Sequence, residues 1–264
     1  LGNTLEAIAY QKAGLIKRRV PVVSGVARDG PREIIRTVAT ELDAPIHELR
    51  KDFRYDYLLD PSEPKLTITT TRRTYPELSL NLLGTHQAHN AALAVAVCEK
   101  LEDAGLSIPN LAIGRGLANV LWPARIELVS KYPAAILDTA HNVPSAEALV
   151  DTLAHFFPST GRKAVVFGVS SDKQYAEILR ILAGYFDHLH LTKYGNNPRS
   201  VAPEKLAGVL AEVAPGKPFT IHPTAREAWS VARLNAAPED LLCVTGSVFL
   251  AGELRSVMVG SEEV

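Results

Sequence analysis

Residues 135–156 read AILDTAHNVPSAEALVDTLAHF. An apolar run at 135–137 stops at Asp138, a polar loop carrying His141 and Asn142 follows, and 145–156 returns to helical spacing. The same order recurs to the end of the chain. Apolar runs at 164–169, 188–192, 219–221 and 241–244 are separated by helical segments at 174–183, 203–213 and 224–235. Strands alternating with helices predict an α/β fold with a mostly parallel sheet covered on both faces. Ligands in such sheets bind at the C-terminal ends of the strands. Asp138 lies at one such end. Ser170-Ser171-Asp172-Lys173, Asn197-Pro198-Arg199 and Thr245-Gly246-Ser247 follow later strands and share that edge.

Upstream of residue 132 the rhythm differs. Phe53, Tyr55, Tyr57 and Leu59 alternate with polar residues, as do Leu66, Ile68 and Thr70, and then Leu78, Leu80 and Leu82. Period two, with turns at Asp60-Pro61 and Tyr75-Pro76, predicts a three-stranded antiparallel meander. Before it come a helix over 4–13, a short buried strand at 21–26 and an amphipathic helix over 31–42. Leu5, Ile8, Ala9 and Lys12 share one face of the first helix, Asn3 and Glu6 have capping-box spacing, and Gly14 ends it. After the meander come an alanine-rich helix over 87–101 and a second helix over 109–119. The change of rhythm near Trp122-Pro123 predicts two domains, 1–121 and 122–264.

Composition narrows the class. In 264 residues, 47% hydrophobic and 22% charged side chains fit a globular protein and argue against disorder. Lys and Arg number 28 against 29 Asp and Glu, so no basic excess exists to neutralise a nucleic-acid backbone. Cys98 and Cys243 both sit in apolar runs and make no disulfide framework, which suits a reducing compartment. No apolar run approaches the roughly 20 residues of a membrane helix, and no secretory signal pattern opens the sequence. The expected setting is cytoplasmic, without membrane or nucleic-acid partners. Leu1 stands at the mouth of a helix, which reads either as a start inside a fold or as a processed terminus.

Several polar residues have both a chemical and a plain structural reading. Lys12 on an apolar stripe is either a snorkelling side chain or a desolvated amine able to form a carbamate, an oxygen ligand for a hard cation. Gly84-Thr85-His86-Gln87-Ala88-His89-Asn90 enters a helix, where free N–H groups favour anions and Asn90 could match an adenine edge. In that segment Thr85 could equally be a simple cap. Arg125, after a stiffening Pro123, offers a fork suited to phosphate or pairs with a nearby carboxylate. Asp138 suits ribose hydroxyls, although Asp138 and Asn142 could also be ordinary turn and cap residues. A Ser171-His141-Asp138 hydrolase can be assembled on paper, but no G-x-S-x-G elbow supports it. Also missing are G-x-x-x-x-G-K-[ST], G-x-G-x-x-G, C-x-x-C and H-E-x-x-H.

Five stretches together resemble one family: LGNTLEAIAYQKAGLIK (1–17), LLGTHQAHNAALA (82–94), WPARIE (122–127), LDTAHN (137–142) and VTGSVFLAGELR (244–255). In order and spacing they are similar to folylpolyglutamate synthases and bifunctional dihydrofolate synthases of the Mur ligase superfamily. Ala124 stands where that family usually has glycine, and Gln11 where it often has glutamate. The resemblance implies the last part of a central ATPase domain (1–121) and a Rossmann-like C-terminal domain (122–264), without the family's N-terminal phosphate-loop region. It implies ATP and Mg²⁺ as cofactors, a folate or dihydropteroate and L-glutamate as substrates, and a monomeric intact enzyme. By motif, Lys12 would be the carbamylated magnesium ligand and Asn90 a nucleotide contact. Arg125 would be a hinge arginine reaching the ATP phosphates, Asp138 and His141 would lie near ribose and phosphates, and Ser247 would face glutamate. The other readings are a sister Mur-type amide ligase and a non-catalytic nucleotide- or partner-binding module.

Overall fold

Two hydrophobic rhythms build two units in the computed structural model, which describes residues 4–59, 64–158, 161–195 and 197–260. One unit holds the described residues up to Asn81 and from Thr85 to Val120; the other holds Leu82–Gly84 and the described residues from Leu121 onward.

In the first unit, helix α1 (Leu5–Ala13) is capped by Thr4, whose side chain accepts from the Ala7 N–H at 3.1 Å. The predicted cap residue Asn3 lies outside the described residues, as does the predicted Asp60-Pro61 turn. Ala9 and Ala13 are the buried residues of α1 and let it approach α2 (Asp29–Glu41) closely. The predicted stripe through Lys12 is therefore not formed: Lys12 is exposed, and so is Leu5. Strand β1 (Val22–Ser24) pairs in parallel with β2 (Ile46–Glu48), a strand whose three residues are too few to show a period.

The meander forms from β3 (Phe53–Leu58), β4 (Lys65–Thr70) and β5 (Thr74–Ser79), in that order. Phe53, Leu66, Ile68 and Tyr75 are buried. Tyr75-Pro76, predicted as a turn, lies inside β5. On an edge strand the missing proline N–H breaks no ladder bond. A register shift also intervenes, since Leu66 faces Leu78 but Ile68 faces Tyr75. The extra residue on β5 turns both Tyr75 and Leu78 inward. Helix α3 (Thr85–Asp103) buries Ala88, Ala91, Ala92, Val95 and Ala96 at helical spacing, and α4 (Asn110–Asn119) follows.

The second unit is a six-stranded sheet. Its strands are β6 (Glu127–Lys131), β7 (Ala134–Leu137), β8 (Lys163–Phe167), β9 (His188–Leu191), β10 (Phe219–Ile221) and β11 (Leu241–Thr245), arranged β10-β9-β8-β11-β7-β6. All pairs are parallel except β6 with β7. Its apolar runs are continuous because both faces are covered. Ile136, Val165, Phe167, Leu189 and Cys243 pack with helices α5 (Val143–Phe156), α6 (Tyr175–Tyr185) and α7 (Pro203–Val213). Ala135, Leu137, Val166, Leu242 and Val244 pack with α8 (Ala225–Leu234) and α9 (Val248–Val259). Cys98 and Cys243 are free thiols. No helix among the described residues is long and apolar enough to cross a membrane.

Leu182 of α6 is fully buried in the first of these cores. Leu182→Ala is expected to destabilise the protein by about 2–5 kcal/mol. In urea unfolding this appears as a lowered midpoint with an unchanged slope.

Candidate functional site

The parallel sheet places the exits of β7, β11 and β8 side by side at one edge. From β8 the chain runs outward through β9 and β10 before β11 returns between β8 and β7. That reversal leaves a crevice at the strand ends.

Asp138 leaves β7 there and is buried. One carboxylate oxygen accepts the Ala140 N–H at 2.6 Å and the other accepts the Ile126 N–H at 3.1 Å. The Thr245 hydroxyl, at the end of β11, donates to the same carboxylate at 3.4 Å. Burial pushes the Asp138 carboxyl above its ordinary range, against the pull of the two backbone N–H groups and of Arg125. Arg125 lies over the Trp122 ring at 5.7 Å. On either side of it, Ala124 (φ 55°) and Ile126 (φ 49°) are in the left-handed region. The Ala124 N–H donates to Glu127 at 2.7 Å, and Arg255 holds Glu127 by two hydrogen bonds of 2.7 and 3.0 Å. The Arg255 guanidinium keeps that carboxyl below its ordinary range.

Asn142 is the N-cap of α5 in a reciprocal capping box with Ser145, so its structural reading holds. His141 Nδ1 lies 2.8 Å from the Thr139 carbonyl. A carbonyl only accepts, so Nδ1 carries hydrogen there and the neutral ring keeps its lone pair on Nε2. This excludes the Ser171-His141-Asp138 relay. Asp138 is spent on backbone N–H groups, the Nδ1–H of His141 goes to Thr139, and Ser171 is exposed.

A cavity of about 170 Å³ opens at this edge. It brings together His141, Ser170, Lys173, Arg199 and Ser247 from four separate loops, with Phe249 from the first turn of α9. Ser247 is buried and caps α9, accepting from the Phe249 N–H at 3.1 Å. The Arg199 guanidinium lies 5.8 Å from the Phe249 ring centre, Phe249 stacks on Tyr194, and the Tyr194 hydroxyl meets Ser170 at 2.6 Å. Lys173 pairs with Asp172 at 2.8 Å and holds that carboxyl below its ordinary range. The aromatic backing of Tyr194 and Phe249 was missed in the sequence: Phe249 follows Thr245-Gly246-Ser247 by two residues, but an aromatic ring beside a polar motif reads as core.

In the first unit, Lys12 lines a mostly apolar cavity of about 340 Å³ with Leu15, Ile16, Val22 and Ile35. Asn90 is exposed on the second turn of α3, its amide donating to Gln87 at 3.1 Å. A side chain at Gly25, after β1, would meet His89 Nε2 at 2.5 Å, so the glycine lets the backbone press against α3. Lys12 and Asn90 thus belong to the first unit, and Arg125, Asp138, His141 and Ser247 to the second. Among the described residues, no group of three or more His, Cys, Asp or Glu side chains is placed to hold a metal ion.

The family described as Mur ligase, glutamate ligase domain matches residues 124–248. Over 97% of its length the chain is similar to the dihydrofolate synthase/folylpolyglutamate synthase of Bacillus subtilis, at 29% identity, and it covers 58% of that protein. A structure of Mycobacterium tuberculosis folylpolyglutamate synthase complexed with ADP superposes with a TM-score of 0.86 and 29% identity, over 98% of this chain and 60% of that one. A Yersinia pestis folylpolyglutamate synthase/dihydrofolate synthase complexed with AMPPNP and Mn ion gives 0.81 and 28%, over 97% and 58%. The chain therefore spans less than two thirds of the length of each.

Gly246 separates β11 from Ser247 with φ 112°, and a side chain there would lie 2.5 Å from the Gly168 carbonyl oxygen. Gly246→Ala is expected to lose about 1–3 kcal/mol from backbone strain alone. Gly252→Ala, in α9 with nothing within 4 Å of the added carbon, is expected to gain up to about 1 kcal/mol. Urea unfolding of the two variants reads both signs.

Proposed function

We propose, from the premise that residues 124–248 belong to the Mur ligase glutamate ligase domain family, that this chain is the glutamate-accepting portion of an ATP-dependent folate–glutamate ligase of the cytoplasm. Homology to folylpolyglutamate/dihydrofolate synthases over nearly the whole chain supports the reading. The observation that carries it is the strand-edge cavity, where Arg199, Lys173 and Asp172 set two cations and one anion around a space of about 170 Å³. Glutamate offers the complementary set, two carboxylates and an ammonium.

In the proposed reaction a folate carboxylate oxygen attacks the γ-phosphorus of ATP, and ADP leaves. The glutamate amine then attacks the acyl carbon, the C–O bond to phosphate breaks, and the amine gives up a proton. Such chemistry rests on positioning and on neutralising charge. Arg125 would face the phosphates with its permanent charge, and Asp138 would fix the backbone around it. His141, with Nδ1–H committed to Thr139, would offer its Nε2 lone pair to the amine's proton. Ser247 and Arg199 would orient the incoming glutamate, and Asn90 would contact the nucleotide. Magnesium would supply charge neutralisation at the phosphates. The residues described here do not fit it unaided, because Lys12 as an ammonium has no lone pair to offer and would have to become a carbamate first.

The chain of 264 residues carries no phosphate-loop motif and is expected to show no ATP- and glutamate-dependent turnover by itself. In a protein extended to its relatives' length, glutamate addition to a folate with matching ADP release is expected. There, Arg199→Ala should raise the KM for glutamate roughly tenfold to hundredfold, the worth of one charged hydrogen bond, with the KM for ATP unchanged. Turnover by the 264 residues alone, or an extended protein inert toward every folate, would overturn the reading.

A further inference from the structure

On the outer edge of the second unit's sheet, three imidazoles converge on one hydroxyl. His188 and His190 are two residues apart on β9 and so share a face of the sheet. Thr220 on β10 stands opposite His190 in the register, and His222 follows β10. Around Thr220 Oγ1 lie His222 Nε2 at 2.9 Å, His190 Nδ1 at 3.0 Å and His188 Nε2 at 3.2 Å. His190 Nδ1 and His222 Nε2 are themselves 3.1 Å apart. His190 and His222 are buried, and Val231 and Ala232 of α8, with Asn235 at its C-terminal cap, contribute to the wall of the cavity beside them.

Counting hydrogens shows what the cluster tolerates. The hydroxyl donates once, and each neutral ring has one N–H. At most one hydrogen can lie between His190 Nδ1 and His222 Nε2, so that contact is a hydrogen bond only while at least one of the two facing nitrogens keeps its lone pair. Protonating both rings sets N–H against N–H at 3.1 Å. The surroundings give little relief. Arg162, before β8, adds positive charge, and Asp240, before β11, is engaged by the Arg162 and Ala237 N–H groups. Glu227 of α8 faces the other nitrogen of His222 at 4.0 Å. Lys163 of β8 points to the Tyr185 ring.

The strand that the cluster secures lies at the edge of the sheet and pairs with β9 on one side. Phe219, Thr220 and Ile221 of β10 are all exposed. Backbone bonds such as His222 N–H to Leu191 at 2.9 Å and Leu189 N–H to Pro218 at 3.1 Å join it to β9.

We propose that His188, His190, His222 and Thr220 form a proton-operated latch: with neutral rings it clasps β10 to β9, and protonation releases that edge locally while the rest of the sheet stays folded. Burial and the neighbouring cations hold His190 down to about 4, and burial also holds His188 and His222 below the ordinary imidazole range, with Glu227 opposing at His222. A depressed folded-state value means that the clasp is fully present above the free-imidazole value of about 6.5. It weakens as pH falls from there toward the folded-state values, because the released edge binds more protons than the closed one. Each ring that gains a proton on release multiplies the opening constant by up to about tenfold per pH unit. Entry of the first proton at His222, where Glu227 stands, would be the trigger.

Hydrogen exchange of the unmodified chain at pH 7 and pH 5, corrected for intrinsic rates, tests this. The expected result is a rise of about tenfold to a thousandfold in the opening constant of the Leu189 and His222 amides, with the β11 amides changed far less. Thr220→Val, which leaves the rings without their shared hydroxyl, should raise opening at pH 7, and Thr220→Ser should restore it. Ring resonances of the unmodified chain supply a reading that needs no variant, and His190 should stay neutral well below pH 6. Protection of β10 that is independent of pH would overturn the proposal, as would three rings titrating together near 6.5.

Discussion

A buried carboxylate sets the geometry of the strand-end site. Asp138 joins the segment before β6, through Ile126, to the loop after β7, through Ala140, and to the end of β11, through Thr245. Ala124 and Ile126 take left-handed backbone conformations, each of which costs about 1–3 kcal/mol in a residue other than glycine. Charge-assisted hydrogen bonds from the Ala124 and Ile126 N–H groups to Glu127 and Asp138 offset that strain. Ile126 is the harder case, since a β-branched side chain disfavours positive φ. The result is an Arg125 fixed between two pinned peptide groups, with Trp122 beneath its guanidinium.

The same edge shows how a parallel sheet makes a polar site from an apolar body. Below the strand ends, both faces are filled by aliphatic side chains and nothing polar can be added cheaply. At the ends the backbone changes direction, and Gly246 allows β11 to pass within contact of Gly168 after β8. Helices α5 and α9 begin there with Asn142 and Ser247 as their caps. Their first N–H groups add partial positive charge to that of Lys173 and Arg199. Phe249, behind Arg199, holds the guanidinium plane at a defined place. The proposed anionic ligand would meet its countercharges there on loops anchored by the strand ends and helix starts.

The sequence made some of this legible. The continuous runs that became β7, β8 and β11 are readable because strands buried on both faces admit few polar residues, while β9 was read from Leu189 and Leu191 with two histidines between and before them. Asp138, His141, Lys173, Arg199 and Ser247 follow from where those runs stop. β6 was missed because Glu127–Lys131 mixes polar and apolar residues, as an edge strand does. Lys12 was placed on a buried stripe because a 3.6-residue period marks a face without saying how far it is covered; two alanines, not the larger residues, make the contact of α1. The Tyr75-Pro76 turn failed because proline was read as an interruption, whereas on an edge strand beside a bulge it is compatible with pairing. The convergence of His188, His190 and His222 lies across two strands and needs the register to be seen.

Two kinds of buried polar arrangement stand out, and they differ in how far their hydrogen bonds depend on protons. Glu48 is met by Arg36 through bonds of 2.9 and 3.1 Å, Glu99 by the Thr70 and Tyr75 hydroxyls, and Asp138 by backbone N–H groups. Each is an acceptor surrounded by donors. The imidazole cluster is the opposite case. Its members are donor and acceptor at once, so its bonds depend on where a few hydrogens sit, and one more disturbs the set. In the proposed latch, the response of β9 and β10 to acid is therefore a matter of where hydrogens sit, whereas at the strand-end site Asp138, which burial pushes above the ordinary carboxyl range, holds its backbone N–H donors as an ionised acceptor.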